Sequence, residues 1–253
     1  MKTLKVLSID MDFFQNVDYD TIIECYPDGH DYSAMLSAIV WASHYSNSND
    51  AKRLNDVRCP DEYLETLKYI LGTQLQSTPV FVSQTHLDIY KFIHEQLKIQ
   101  GAQFLEVVNI DMHHDMFTDY LDEVDCGNWA HHIRQEVPTR FTWISHNISE
   151  EAMDYSVIQD IDEVNIVKND FKCIEDIRFD LIFLCRSDAW YPPHLDDKFN
   201  ELVECLCNFY NVKVSDRLVS RDSVKFQTMH LLQIYDRVVE DAAKEQLESE
   251  VAI

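Results

Sequence analysis

The segment NIDMHHDMF, residues 109–117, carries the residue types best suited to chemistry. Asp111, His113 and Asp115 recur at every second position directly after an apolar run. If the backbone stays extended there, alternate side chains leave on one side, so these three converge on one centre while His114 points away. The opening segment SIDMDFF repeats the pattern with Asp10 and Asp12. Together the two segments offer four carboxylates and an aligned histidine, more than a single ion uses, which points to two ions sharing carboxylates. An oxygen-rich set with some imidazole favours manganese, magnesium or zinc over thiophilic metals.

Two of these assignments stay open on the residues alone. His86, in VFVSQTHLDIY, stands between a strand-like and a helix-like stretch and reads equally well as a further ligand or as an exposed residue at a helix start. The D-x-D of Asp10 and Asp12 also suits a phosphatase of the haloacid dehalogenase type, with Asp10 as nucleophile and Asp12 as acid/base. That chemistry leaves the histidines idle and requires a lysine near the phosphate.

The elements that must position these residues follow from the hydrophobic pattern. Short apolar runs predict strands over 4–9, 79–83, 104–110, 140–145, 164–167 and 180–185. Apolar residues at helical spacing predict helices over 61–71, 86–99 and 195–210, the last after Pro192 and Pro193, with a further helix from 226 to about 246. Buried strands alternating with helices imply a three-layer αβα domain with a mainly parallel sheet. Ligands of such sheets bind at the carboxyl ends of the strands. Asp10 and Asp12, His86, and Asp111, His113 and Asp115 all fall directly after predicted strands, as does the segment Arg186–Ser187–Asp188. No repeat, low-complexity tract or linker divides residues 1–253, so one domain is expected.

Composition removes several function classes. Only four glycines are present, Gly29, Gly72, Gly101 and Gly127, too scattered for a dinucleotide fingerprint or a P-loop. A net charge of −24, from 45 acidic and 21 basic residues, repels phosphate backbones and argues against nucleic acid while attracting cationic ligands. No apolar run is long enough for a membrane and no signal-peptide pattern opens the sequence, so a cytoplasmic protein is expected. The seven cysteines are odd in number and form no C-x-x-C pair, which predicts buried free thiols, including Cys205 and Cys207 in a helical apolar stretch.

These motifs resemble the arginase–deacetylase hydrolases. Arginases carry a D-A-H-x-D strand end, a D-x-D strand end, a single histidine after another strand and a G-N-x-H segment; here they look like Asp111-x-His113-x-Asp115, Asp10-x-Asp12, His86 and CGNWAHH. The strand order is permuted, because the D-x-D strand opens this chain. The closer resemblance is to the peptide arginases, whose S-I-D-x-D-F-F strand and late S-x-x-W-x-P-P segment are similar to SIDMDFF and SDAWYPPH.

The resemblance implies an arginase-like fold and two Mn2+ ions held by Asp10, Asp12, His86, Asp111, His113 and Asp115. A bridging hydroxide would attack the guanidinium carbon and release urea. It also implies His131 or its neighbour His132 as proton shuttle, with Asn128 and Asp188 as substrate contacts, Asp188 standing where arginases place a guanidinium-binding carboxylate. Free-arginine enzymes grip the amino acid's head with an asparagine and a serine at positions that are Phe117 and Cys126 here. The implied substrate is therefore an arginine-containing precursor peptide, converted to ornithine during maturation of a ribosomal peptide natural product. The rival on the same fold is a deacetylase-like amidohydrolase with one zinc. Oligomeric state stays open, with a homo-oligomer allowed.

Overall fold

The computed structural model describes residues 2–27, 34–118, 123–152 and 164–221. Its centre is a seven-stranded sheet made of β1 (Thr3–Asp10), β2 (Val80–Ser83), β3 (Phe104–Asp111), β4 (Thr139–Ser145), β5 (Val164–Lys168), β6 (Leu181–Cys185) and β7 (Val212–Val214). The strand order is β5-β4-β3-β1-β6-β2-β7, and every pairing is parallel. All six predicted strands are present. The additional β7 is a three-residue edge strand, VKV, without an apolar run to announce it.

Helices cover both faces, as strands buried on two sides require. One face carries Leu7, Ile9, Val108, Ile110, Ile182 and Leu184. Against it pack α1 (Tyr19–Cys25), α2 (Ala34–Ser46), α3 (Ser48–Asp56), α4 (Asp61–Gly72) and, after α5 (Asp88–Gln100), α6 (Trp129–Glu136) and the short α7 (Ser149–Ala152), the last long helix α8 (Asp196–Phe209). The other face carries Leu4, Val6, Leu105, Val107, Leu181 and Phe183, packed on α5 and α6. The result is a three-layer αβα architecture. The predicted helix beyond residue 226 lies outside the described residues.

The cysteine expectation holds in part. Cys25, Cys59 and Cys185 are buried free thiols, whereas Cys126 and Cys205 are half-buried and Cys173 and Cys207 are exposed. The cause at α8 is helical phase: Phe199, Leu202 and Leu206 form the buried stripe, and Cys205 and Cys207 fall beside it.

The connections decide where the site sits. From β1 the chain moves toward β2 on one side, whereas from β3 it moves toward β4 on the other. The crevice between the carboxyl ends of β1 and β3 is thus the switch point of the sheet. The two strands run in register, Ser8 beside Asn109 and Ile9 beside Ile110, which brings Asp10 and Asp111 to that crevice at the same level. Both follow apolar residues on the α5/α6 face, where Leu4 and Val6 give way to Ser8 and Asp10, and Leu105 and Val107 to Asn109 and Asp111.

Candidate metal centre

Six side chains meet in the crevice, all buried: Asp10, Asp12, His86, Asp111, His113 and Asp115. They form two groups. His86 Nδ1 lies 3.2 Å from Asp10 Oδ2, 3.1 Å from Asp111 Oδ2 and 3.1 Å from Asp115 Oδ2. His113 Nδ1 lies 2.8 Å from Asp12 Oδ2 and 3.6 Å from Asp111 Oδ1. Asp111 belongs to both, one oxygen facing each histidine. In each triad, Asp10–His86–Asp111 and Asp12–Asp111–His113, the ligand atoms lie within 4.8 Å of one another, and each can hold a metal ion.

The alternating spacing reaches this arrangement by a different route from the extended chain expected. β3 ends at Asp111, whose Oδ1 accepts from His113 N at 2.7 Å and turns the chain. Asp115 then sits in the left-handed region at φ 55°, a strained conformation for a residue with a Cβ and one that gathers at functional sites. Asp111, His113 and Asp115 are therefore shared between two centres rather than converging on one. The same holds for Asp10 and Asp12, separated by a 3₁₀ turn in which Asp10 Oδ1 accepts from Asp12 N at 3.0 Å. Asp12 Oδ1 accepts from Met112 N at 3.2 Å and ties the two strand ends together.

His86, which the sequence left between two readings, belongs to the cluster. Its Nε2 lies 2.6 Å from Ser8 Oγ, and its ring stacks on Phe183 at 5.6 Å and 1°. With Nε2–H donated to the serine, the Nδ1 lone pair faces the carboxylates, as a metal-binding imidazole requires. His114 turns the other way, accepting from Met116 N at 2.9 Å through Nδ1.

The charge balance calls for a cation. Burial and the neighbouring Asp10 and Asp111 push Asp12 well above the usual carboxylate range, even against His113. Burial and Asp111 raise Asp115 to about 8, opposed by His86. Burial alone would strip the proton from His86 and His113, but the surrounding carboxylates overrule it and hold both well above the ordinary value. Without a cation the cluster must therefore retain protons to offset its own charge. Asp12 Oδ2 is buried and accepts no well-directed hydrogen bond among the described residues, despite the imidazole nitrogen 2.8 Å away. A buried carboxylate oxygen this close to an imidazole nitrogen can share either a proton or a cation with it. Oxygen and imidazole donors without thiolate suit a hard or borderline divalent ion.

Supporting residues that the motifs did not reveal complete the centre. Trp129 Nε1 donates to Asp115 Oδ2 at 2.6 Å, and Asn109 Nδ2 donates to Asp111 Oδ2 at 3.1 Å. Trp190 lays its ring on His113 with centroids 4.5 Å apart. Ser8 and Asn109 did carry a signal, being polar residues two positions before a ligand on otherwise apolar strands.

The three residues expected to act on substrate sit differently. Asp188 is buried and already holds a guanidinium, that of Arg186, whose Nε and Nη2 donate to its two oxygens at 2.6 and 3.0 Å. Asn128 is also buried; its Oδ1 accepts from Asp125 N at 2.8 Å and its Nδ2 donates to Glu123 O at 3.0 Å, an arrangement that shapes the loop before α6. His131 lies on α6 with its ring 5.7 Å from that of His132, and among the described residues no hydrogen bond or ion pair joins it to the cluster. Burial, then His132 and Arg134, hold its pKa below the ordinary value, so it is neutral at neutral pH. The Nε2 of His132 is buried without a partner among the described residues.

No helix among the described residues is long and apolar enough to cross a membrane. Comparison with protein-family models, with curated proteins and with solved structures gives no match.

Proposed function

We propose that the protein is a binuclear metallohydrolase that converts arginine residues in a precursor peptide to ornithine, releasing urea, with manganese in both positions. The observation that carries this reading is the carboxylate of Asp111, whose two oxygens face the two histidines and so join the triads into one six-residue centre. A deacetylase-like enzyme with one zinc would leave the Asp12–His113 triad without a use. A dehalogenase-type phosphatase would need Asp10 free, yet its oxygens face Asp12 N and His86.

Bound divalent ions supply a water of lowered pKa and the Lewis acidity that hydrolysis of a resonance-stabilised C–N bond requires. The protein's own part is to hold six donors rigidly in a dry crevice and to manage protons. Water adds its oxygen to the guanidinium carbon, the bond from that carbon to the side-chain Nε breaks, and the departing amine takes a proton. His131 or His132 of α6 delivers it, having first accepted the proton lost by the water.

Peptide-bound rather than free arginine is favoured by two positions of the sequence. Phe117, whose ring packs 4.4 Å from His114, and the half-buried Cys126 stand where free-arginine enzymes carry the asparagine and serine that grip a zwitterionic head. Leaving those charges dry and unpaired would cost several kcal/mol, roughly 2–7 for each uncompensated polar group. An arginine inside a peptide brings no such charges, and the net charge of −24 draws its side chain in at long range. The test is urea release and mass spectrometry on manganese-loaded protein, with free arginine and an arginine-bearing peptide side by side. Turnover of the peptide alone is expected, with capture weakened by salt more than the chemical step. Equal turnover of free arginine removes the peptide claim, and no urea from either substrate removes the arginase reading.

A further inference from the structure

Trp190 has two neighbours of interest. Its indole meets the ring of His113 at a tilt, with centroids 4.5 Å apart and planes at 53°, and the same residue lines a cleft of about 460 Å³. The other walls are Ile22, Ile23, Tyr26, Pro27 and Val40. Trp190 thus touches both the candidate metal centre and the cleft.

The walls are fixed relative to each other. Tyr26 is buried, and its hydroxyl donates to Gln15 Oε1 at 2.7 Å. Gln15 is also buried, and its Nε2 donates to Trp190 O at 2.9 Å. One wall is therefore tethered to the opposite wall through a single amide. The loop carrying Trp190 is anchored from behind as well, with Trp41 Nε1 donating to Asp188 O at 2.7 Å and Arg221 Nη2 to Tyr191 O at 2.9 Å. At its start Ser187 takes φ 59°, a conformation maintained only where the surroundings enforce it. A shallow dent between mobile side chains needs none of this; a binding surface benefits from all of it.

The chemistry of the cleft selects its occupant. Two ionisable side chains reach it, and both are already paired: Glu24 with Arg53, and His44 with Asp50 at 2.9 Å. The other lining side chains are apolar or aromatic, including Ile23, which is 63% exposed. We propose that this cleft binds the apolar side chain of the residue next to the reacting arginine in the peptide substrate. The proposal rests on the hydrolase reading above. A peptide whose arginine approaches the metals beside Trp190 would place a neighbouring residue against the cleft that Trp190 also lines, where the apolar side chains reward leucine, isoleucine or phenylalanine over glycine or a charged residue. Trp190 becomes a specificity-determining residue as well as a support for His113.

The experiment uses two short peptides with one internal arginine, flanked on both sides by leucine or by glycine, and their product counterparts carrying ornithine, which cannot turn over. Calorimetric titration of the manganese-loaded protein with the ornithine peptides should give a dissociation constant about tenfold or more lower for the leucine peptide, the worth of burying one such side chain. Ile23→Asp, at an exposed position, and Val40→Asp should bring that ratio near one without changing metal content. With the arginine peptides, the leucine preference should appear in KM and leave kcat alike. Equal affinity for both peptides overturns the proposal, as does a preference that both variants leave intact; a cleft already filled by another part of the chain gives the first of these results. Urea released from both peptides with equal KM leaves the hydrolase standing without the cleft. A leucine preference erased by the variants, with no urea from any peptide, leaves the cleft as a peptide site without the hydrolase.

Discussion

Trp129 Nε1 donates to Asp115 Oδ2 at 2.6 Å, and that same oxygen lies 3.1 Å from His86 Nδ1. An indole on α6 thus aims a carboxylate that the left-handed backbone of Asp115 has already turned into the crevice. Trp129→Phe keeps the packing and removes the donor. The expected outcome is manganese affinity lowered roughly 10- to 100-fold with the fold retained, the usual consequence of losing a partner that orients a ligand. Metal titration and circular dichroism check it; unchanged affinity means that Asp115 is positioned by its backbone alone.

Metal stoichiometry separates the two triads. Wild-type protein should hold about two equivalents of manganese. Asp12→Asn should lose the ion beside His113 and keep the one beside His86, whereas Asp111→Ala should lose nearly all of both, because its oxygens face both histidines. Elemental analysis after dialysis reads the result. A single tightly held zinc in the wild type would instead support the deacetylase rival.

Asp188→Asn distinguishes a guanidinium-binding residue from a structural one. The carboxylate lies in a buried network with Arg186, Arg221 and Asp196, in which Arg221 Nη2 bonds Asp196 and Arg221 Nη1 lies 3.8 Å from Asp188 Oδ1. Removing one charge leaves two buried cations facing one anion and should cost about 3–5 kcal/mol of stability. Denaturant midpoints give the answer. Full stability with lost peptide turnover would return Asp188 to the substrate.

His146 predicts a pH dependence. It is buried at the end of β4, its ring edge-on to Phe13 at 5.5 Å, and burial pulls its pKa down to about 4. Above about pH 6.5 neither the folded nor the unfolded chain binds this proton. Between that value and the folded-state pKa of about 4, the unfolded chain takes it and the folded chain refuses it, so stability falls as pH falls, by about 3 kcal/mol in total. His146→Phe should remove this part of the acid sensitivity, read as a smaller difference between the urea midpoints at pH 7.5 and 5. Parallel curves for variant and wild type would refute it.

The cluster was legible in the sequence because each of its residues follows an apolar strand and is of a metal-binding type, and the parallel sheet brings such positions to one edge. How they divide was not legible. The spacing of Asp111, His113 and Asp115 suggests one centre, and only the turn at His113 and the left-handed Asp115 split them between two. The pairing of Asp188 was not legible for a related reason. A carboxylate after a strand invites a ligand, and nothing local reveals that Arg186, two residues earlier, folds back onto it. α2 carried no helical period because AMLSAIVWASHYS is apolar on nearly every side, and β7 was too short to leave a pattern.

The place of β1 in the middle of the sheet has a kinetic consequence. All six ligands belong to the first 115 residues, and the strand that bears Asp10 pairs with β3 on one side and with β6, residues 181–185, on the other. During synthesis the donors emerge early, yet the wall that encloses β1 is made last among its neighbours. Closing that loop of roughly 170 residues is entropically slow, and pairings this distant in sequence lengthen folding times. Until β6 docks, Asp10 sits on an open edge, and a divalent ion arriving then meets loose carboxylates in water rather than a rigid crevice. On the binuclear reading, metal capture would coincide with the docking of β6, and a chain stalled before it would carry every donor and no centre.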